Sequence, residues 1–374
     1  IVVDGVPYEG SLNSIAPQDI ETLNVLKDAA ANSMYGARGS NGVILITTKS
    51  GSRGKVKINF DTRVGVNSRG IPAYDVIKDP KDYYEMIWEA GRNNFHENAG
   101  MSLLEAGVYT SNNLIPNYLG YNIYKNIDDS QLIDPITGKI NSNASEKKWN
   151  DNWMKDPFRN GPRQEYNLNV SGGNDNTSAF MSLGYLNDKG YIYKSDFSRL
   201  NSRVKIDQKF NNNFKAGLNI AYTQTVSNAP VDDGGSTNYS NIFMFTQSIA
   251  PIFPIYKYDL ATGAPLYDLN NNRLYDFGSG AIMNGVAANR TRAYAAEQNP
   301  MYKLENDNDE SKRDNISSRA YAEVKFLKDF KFTANIAYDV FNTVYTSYVN
   351  PLQGDGKTYQ GIGDKSAQRY SALN

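Results

Sequence analysis

Cysteine is absent from the 374 residues, which excludes a disulfide framework and any thiolate-held metal. Histidine occurs once, as His96, so a multi-histidine metal site is excluded, and with that one histidine in a loop helix no Ser/His/Asp arrangement is expected. Neither charge sign prevails: 39 basic residues face 40 acidic ones, for a net −1, and nucleic acid is not an expected partner. No run of about 18 apolar residues occurs, so no transmembrane helix is expected. The mean hydropathy of −0.57 does not exclude a membrane, because barrel strands alternate apolar and polar residues and average out. The chain opens inside an apolar run, IVVDG, with neither a basic leader nor an initiator methionine. The expectation is a piece of a larger protein.

What is present is tyrosine and phenylalanine, 27 and 15 residues against 3 tryptophans. These rings suit pleated surfaces in general, and also interfacial girdles and a ligand-contacting lumen. Residues of period two dominate after residue 54. In Lys55–Val66, Val56, Ile58, Phe60, Val64 and Val66 share one face, and Lys57, Asp61 and Arg63 the other. The same alternation marks Glu165–Gly172, Ser178–Asn187, Leu200–Phe210, Phe214–Thr223, Ile316–Phe326 and Phe330–Val340, with a further strand beginning at Gln368. The clearest run to about ten residues, beyond the ordinary 5–6 and near the 9–11 that cross a bilayer at a tilt. Tight connections (GNDNT at 173–177, NNN at 211–213, LKD at 327–329) alternate with long excursions at 67–163, 229–312 and 351–367 and a shorter one at 188–197. A barrel with brief turns at one rim and extended loops at the other produces that rhythm.

Within the first excursion, Asp79–Phe95 predicts a helix capped by Asp79, with Pro80 in its first turn and Gly91 and Asn93–Asn94 at its end. The charged run Asp307–Asp314 reads as a solvated loop base. Asp268–Asp276 is rich in oxygen ligands but lacks the glycine and closing glutamate of an EF-hand. Trp88, Trp149 and Trp153 have two readings: stacking on sugar rings, or packing a loop onto its neighbours. Upstream, Asp19–Lys49 reads as strand, short helix, glycine-rich turn and strand. Asp28 is placed to cap Ala29–Met34, and Gly36, Gly39 and Gly42 permit positive φ or close backbone approach. That turn lacks GK[ST] and is followed by a strand, so it is no phosphate cradle.

These residues resemble the SusC-like branch of TonB-dependent outer-membrane transporters. Asp4, Gly5, Val6 and Pro7 resemble the VDG-x-P turn of its plug. Asp19, Ile20 and Glu21, then Val25, Leu26, Lys27 and Asp28, resemble its DIE…VLKD segment. Tyr35, Gly36, Arg38, Gly39, Asn41 and Gly42 fall in its YG-x-RG-x-NGVI run, and Asn167–Gly173 and Ser182–Gly190 resemble its early barrel strands. The resemblance implies a transmembrane antiparallel β-barrel of about 22 strands in the whole protein. Seven or eight of those strands lie here, with an N-terminal α+β plug inside the lumen. The plug end is expected at residues 1–54 and the barrel at 55–374. It also implies TonB-dependent import of a glycan or peptide oligomer, driven by the proton-motive force through TonB–ExbB–ExbD. The implied partners are a SusD-like surface lipoprotein, outer-membrane lipid, the remainder of the same transporter and a second barrel in a dimer.

No catalytic residue, cofactor or metal is expected. Ligand contact is expected at the plug turn, through Val6, Pro7, Tyr8, Glu9, Ser11 and Asn13, and at Trp88. Lys57, Asp61, Arg63, Arg203, Lys205 and Asp207 are expected to face the lumen and to help seat the plug. Two other readings stand beside this one: a non-transporting surface binder or adhesin on a soluble β-sandwich, and an outer-membrane enzyme.

Overall fold

The computed structural model describes the chain except for residues 11, 28–35, 40, 71, 73, 231–240 and 328, and the side chains of 37, 38, 354 and 355. The expected helix at Ala29–Met34, with its Asp28 cap, lies outside the described residues, as do Ser11 and Tyr35.

The first sheet is small. Its strands are β1 (Val2–Val3), β2 (Val6–Pro7), β3 (Ile20–Leu26) and β4 (Val43–Thr48), in the order β2-β1-β4-β3. Asp4 and Gly5 form the two-residue turn between β1 and β2, with φ of 50° and 83°. Positive φ at both positions is what a tight hairpin of this kind demands, and Asp-Gly supplies it at low strain. Strand β1 pairs with β4 in parallel, Val2 to Leu45 and Val3 to Ile46. A short linker then leads into the second sheet, passing so close to it that a Cβ on Gly51 would lie 2.3 Å from the Ala179 nitrogen.

The second sheet is an up-and-down antiparallel wall of eight strands. They are β5 (Gly54–Asn67), β6 (Gly161–Gly173), β7 (Thr177–Lys189), β8 (Asp196–Lys209) and β9 (Phe214–Asn228), then β12 (Asn308–Phe326), β13 (Phe330–Val349) and β14 (Ile362–Leu373). A two-strand hairpin, β10 (Ile282–Met283) and β11 (Val286–Ala287), belongs to the connection before β12. The register sorts the side chains into two faces. Ile58, Val170, Met181, Val204 and Ile220 form one cross-strand row, and Phe60, Leu168 and Leu183 begin the next. This face is bare: Val56, Ile58, Phe60 and Val64 are all at least 65% exposed, and no second sheet covers it among the described residues. A bare apolar band of this kind is what the lipid-facing side of a transmembrane barrel wall presents. The opposite face carries Glu165, Asn167, Asn201, Arg203, Asn219, Asn315 and Asp339, all buried.

The strands outrun the alternating segments. Asp309, Glu310, Lys312 and Arg313, part of the expected loop base, lie inside β12, paired with β13 and, from Glu310 on, with β9. The last strand begins at Ile362, earlier than the expected Gln368, and pairs with β13 from Val349 to Tyr338. Alternation marks only the stretch with one face in lipid. Beyond it both faces are wet, and the hydrogen-bond ladder continues without an apolar stripe to announce it.

At the rim away from the tight turns, the two longest excursions pack together. Helices α1 (Pro80–Ala99) and α2 (Leu103–Asn113) belong to the first. α3 (Ile242–Ser248) and α4 (Pro300–Asn306) belong to the second, and α5 (Gly354–Tyr359) to the last. One core holds Tyr84, Trp88, Ile115, Tyr121, Phe245 and Phe253. The Trp149 and Trp153 indoles donate to the Ile252 and Phe253 carbonyls at 3.1 and 3.0 Å, tying the first excursion to the second. Helix α1 runs past Gly91 and ends at Gly100 in the left-handed conformation. Gly91 is retained inside because a Cβ there would lie 2.7 Å from Thr110 of α2: it serves helix–helix approach, not termination.

Candidate plug–wall interface

The small sheet sits against the polar face of the wall, and three contacts built on Asp4, Asp19 and Tyr8 hold it. Asp4 is the first. One carboxylate oxygen accepts the Thr48 amide at 2.8 Å. The other accepts the Thr48 hydroxyl at 2.5 Å, Asn219 Nδ2 at 2.8 Å and an Arg203 guanidinium nitrogen at 3.4 Å. Arg203 Nε in turn donates to Asn219 Oδ1 at 3.0 Å. One turn residue thereby ties β4 of the plug to β8 and β9 of the wall.

The second contact is the buried turn before β3. Gln18 Nε2 donates to Asn201 Oδ1 at 3.2 Å. Asp19 is 4% exposed, and burial pushes its carboxyl up. Ser182 and the positive charges of Arg203, Lys49 and Arg199 pull against that rise. Gly184 of the wall makes room: a Cβ there would stand 2.5 Å from Gln18 Nε2 and 2.6 Å from Asn201 Oδ1.

The third contact is Tyr8. Its hydroxyl accepts from Asn315 Nδ2 at 2.8 Å, and its ring meets Phe341 edge-on at 5.9 Å between centroids. The Arg319 guanidinium lies 5.4 Å from the ring centre, and Asp339 holds that guanidinium at 3.3 Å while accepting the Ser317 hydroxyl at 2.5 Å. Burial pushes the phenol up to about 12.

The expected ligand-contact residues divide. Tyr8 is 5% exposed and turns its ring into the seat, away from any ligand, whereas Val6, 7% exposed, borders a cleft beside the plug. Pro7 is half-buried, while Glu9 and Asn13 are exposed. Trp88 is 1% exposed, with its indole donating to the Ser111 hydroxyl at 2.8 Å: it packs the loop layer and offers no stacking face. The correction has one cause for both rings. Large aromatic surface is driven into whichever core lies nearest.

The plug-motif residues also separate. Asp4, Gly5 and Asp19 shape the seat as described, whereas Glu21, Lys27 and Asn41 are exposed. Gly36 has φ of 59° and Gly42 of 89°, and Gly39 accepts the Gly42 amide at 2.8 Å. The Arg38 side chain lies outside the description. Of the six expected lumen charges, Arg203 meets the plug. Lys205 and Asp207 line a cleft of about 590 Å³ beside it. Lys57, Asp61 and Arg63 lie on edge strand β5, where Asp61 and Arg63 pair with each other at 3.2 Å, exposed and away from the plug. Sequence reasoning missed Asn219, Asn315, Gln18, Thr48 and Phe341 as contacts. Asn219 was legible as part of a polar stripe, but no periodicity says which members of a stripe a second body touches.

In the loop layer, Asp268 binds the Asn270 and Asn272 amides of its own turn. Asp276 is buried and accepts the Tyr121 hydroxyl at 2.8 Å. The two carboxylates serve different environments, and no metal-holding cluster of His, Cys, Asp or Glu occurs among the described residues.

Residues 1–43 match the family model of the TonB-dependent Receptor Plug Domain. Over 99% of its length the chain is 24% identical to the TonB-dependent receptor SusC of Bacteroides thetaiotaomicron, covering 32% of that protein. Over 92% of its length it is 23% identical to the TonB-dependent receptor P3 of Formosa agariphila, covering 26%. Its fold matches the RagAB peptide importer in the closed-closed state with a TM-score of 0.60 at 19% identity, over all of this chain and 37% of that one. The chain thus spans about a third of the length of these proteins. With a plug match at its start, SusC-type relatives along its length and a wall bare on one face and plugged on the other, the chain is similar to a part of the SusC-like TonB-dependent transporters.

Proposed function

We propose that this chain forms the plug end and the first barrel strands of an outer-membrane importer for a nutrient oligomer, glycan or peptide. The division falls near residue 54, where the linker enters β5. A SusD-like lipoprotein covers the outer rim. TonB–ExbB–ExbD supplies the work from the proton gradient, and the barrels pair as dimers. The one observation that carries the reading is the seating of Asp4 on Arg203 and Asn219 of the wall's buried polar face, with bare hydrophobic residues behind it.

The energetics suit displacement of the plug by a pulling force. Strands β12 and β13 pair without a break from Asn308–Tyr348 to Phe326–Phe330. Strand β1 has two paired positions on each side. Units with short ladders and polar contacts open first. The test is uptake of a labelled oligomer by cells carrying the full-length protein, with and without a protonophore and with and without the lipoprotein. Uptake indifferent to both would overturn the reading.

A further inference from the structure

We infer that the cleft between plug and wall at the tight-turn rim is a binding station for carboxylate-bearing oligomers, so that the cargo of the proposed importer is anionic. The inference rests on the import reading for its direction of travel, and on four observations for its chemistry. The cleft measures about 590 Å³, in the range of sites that hold small organic ligands. Lys205, Lys209 and Lys215 line it, and none has a carboxylate partner among the described residues.

Lys209 and Lys215 stand directly opposite each other in the β8–β9 ladder. Like charges in that position oppose pairing, so a wall with no use for them is better served by neutral residues. Of the acids nearby, Glu323, opposite Lys215 on β12, binds Lys331 at 3.2 Å, Asp4 is held by Asn219 and Arg203, and Asp207 accepts the Tyr321 hydroxyl, while Asp175 of the 174–176 turn also lines the cleft. The floor of the cleft is also shaped. Tyr321 lies across Gly217, where a Cβ would come within 2.2 Å of the ring, and its hydroxyl donates to Asp207 at 2.7 Å. The Lys215 ammonium sits 5.2 Å from the ring centre. A fixed ring flanked by unpaired ammonium groups recognises a chain carrying carboxylates at intervals, by ion pairing along its length and packing on the ring. Two sources share that chemistry, an acidic peptide and a uronate-rich oligosaccharide.

The experiment uses the full-length protein in detergent and calorimetry with tetraglutamate, tetragalacturonate and the neutral maltotetraose. At least one acid should bind, more weakly as salt rises, and binding should fall about tenfold or more in K205Q/K209Q/K215Q, as expected when charge-assisted contacts are lost. Which acid responds identifies the source. D207N, which removes the competing anion, should bind the same acid more tightly, and it provides a second arm should the triple variant fail to fold. Equal acid affinity in the wild type and these variants, or no acid binding by the wild type, overturns the inference. Protonophore-sensitive uptake of a neutral oligomer in that case leaves the import reading standing, so the two fail separately.

Discussion

Asp4 on the plug hairpin and Arg203 in the middle of β8 meet at 3.4 Å across 199 residues of chain, with the arginine side chain 4% exposed. Asp4→Ala strands that guanidinium and the Asn219 amide beside it. Removing one partner of a buried pair costs about 3–5 kcal/mol, and the half-buried position of Asp4 sets the lower end of that range. The expected outcome is faster amide exchange at Val2–Val6 and easier entry of large antibiotics, with the wall strands as protected as before. Unchanged exchange in the hairpin would show that Asp4 does not fasten it.

Tyr8→Phe removes the acceptor of Asn315 and leaves that amide buried, a loss of roughly 1–3 kcal/mol. Ligand affinity should not change, because the ring faces the wall. The pH dependence has a definite sign. The seated phenol is raised to about 12 from an ordinary 10. Below pH 10 both seated and released forms keep the proton, and the seat is at full strength. Between 10 and 12 only the released form loses it, so seating weakens by roughly 2–3 kcal/mol. Proteolysis of the hairpin in wild type should therefore rise over that window relative to Tyr8→Phe. Parallel curves for the two proteins would refute the assignment.

Gly10→Ala tests the same corner by crowding. A Cβ there would lie 2.4 Å from the Tyr8 ring and 2.5 Å from the Phe341 ring. Neither ring can withdraw, Tyr8 because of Asn315 and Phe341 because Tyr8 meets its edge. Overpacking of this kind costs about 1–3 kcal/mol. The hairpin should exchange faster here too, while Gly5, whose added Cβ would meet nothing within 4 Å, bears only the strain of its positive φ. Gly10→Ala exchanging like the wild type would mean the rings are not packed as described.

What the sequence disclosed follows from what produces a periodic signal. Ile220 and Asn219 alternate because lipid and lumen sit on opposite sides of β9, and such alternation is visible in one dimension. Asp309 and Glu310 do not alternate in polarity, and their end of β12 went unread although its hydrogen bonds are as regular. Tyr8 was read as an open ring, and Trp88 left between stacking on a ligand and packing its loop, because composition gives no direction to a side chain. Each turned inward for want of any other shelter from water. Gly91 was read as a helix end, since a single glycine looks the same whether it stops a helix or lets another approach.

The lipid face offers the sharpest test of the wall. Val204 and Ile220 are directly paired, 43% exposed each, and lie in a central row of the apolar band. In a water-soluble protein, arginine at so exposed a position costs within about 0.5 kcal/mol of nothing. In a bilayer it costs roughly 2–4 kcal/mol at the midplane and only about 0–1 near the interface. Ser198 supplies the interfacial control: it faces the same side of β8, three rows nearer the outer rim, opposite Asn187 and Val226. Urea unfolding of the full-length protein in lipid vesicles should therefore give a large loss for Ile220→Arg and a small one for Ser198→Arg. Equal small losses would mean that this face meets water, and the barrel assignment would fall with it. Equal large losses would mean that packing, not depth in lipid, decides the outcome.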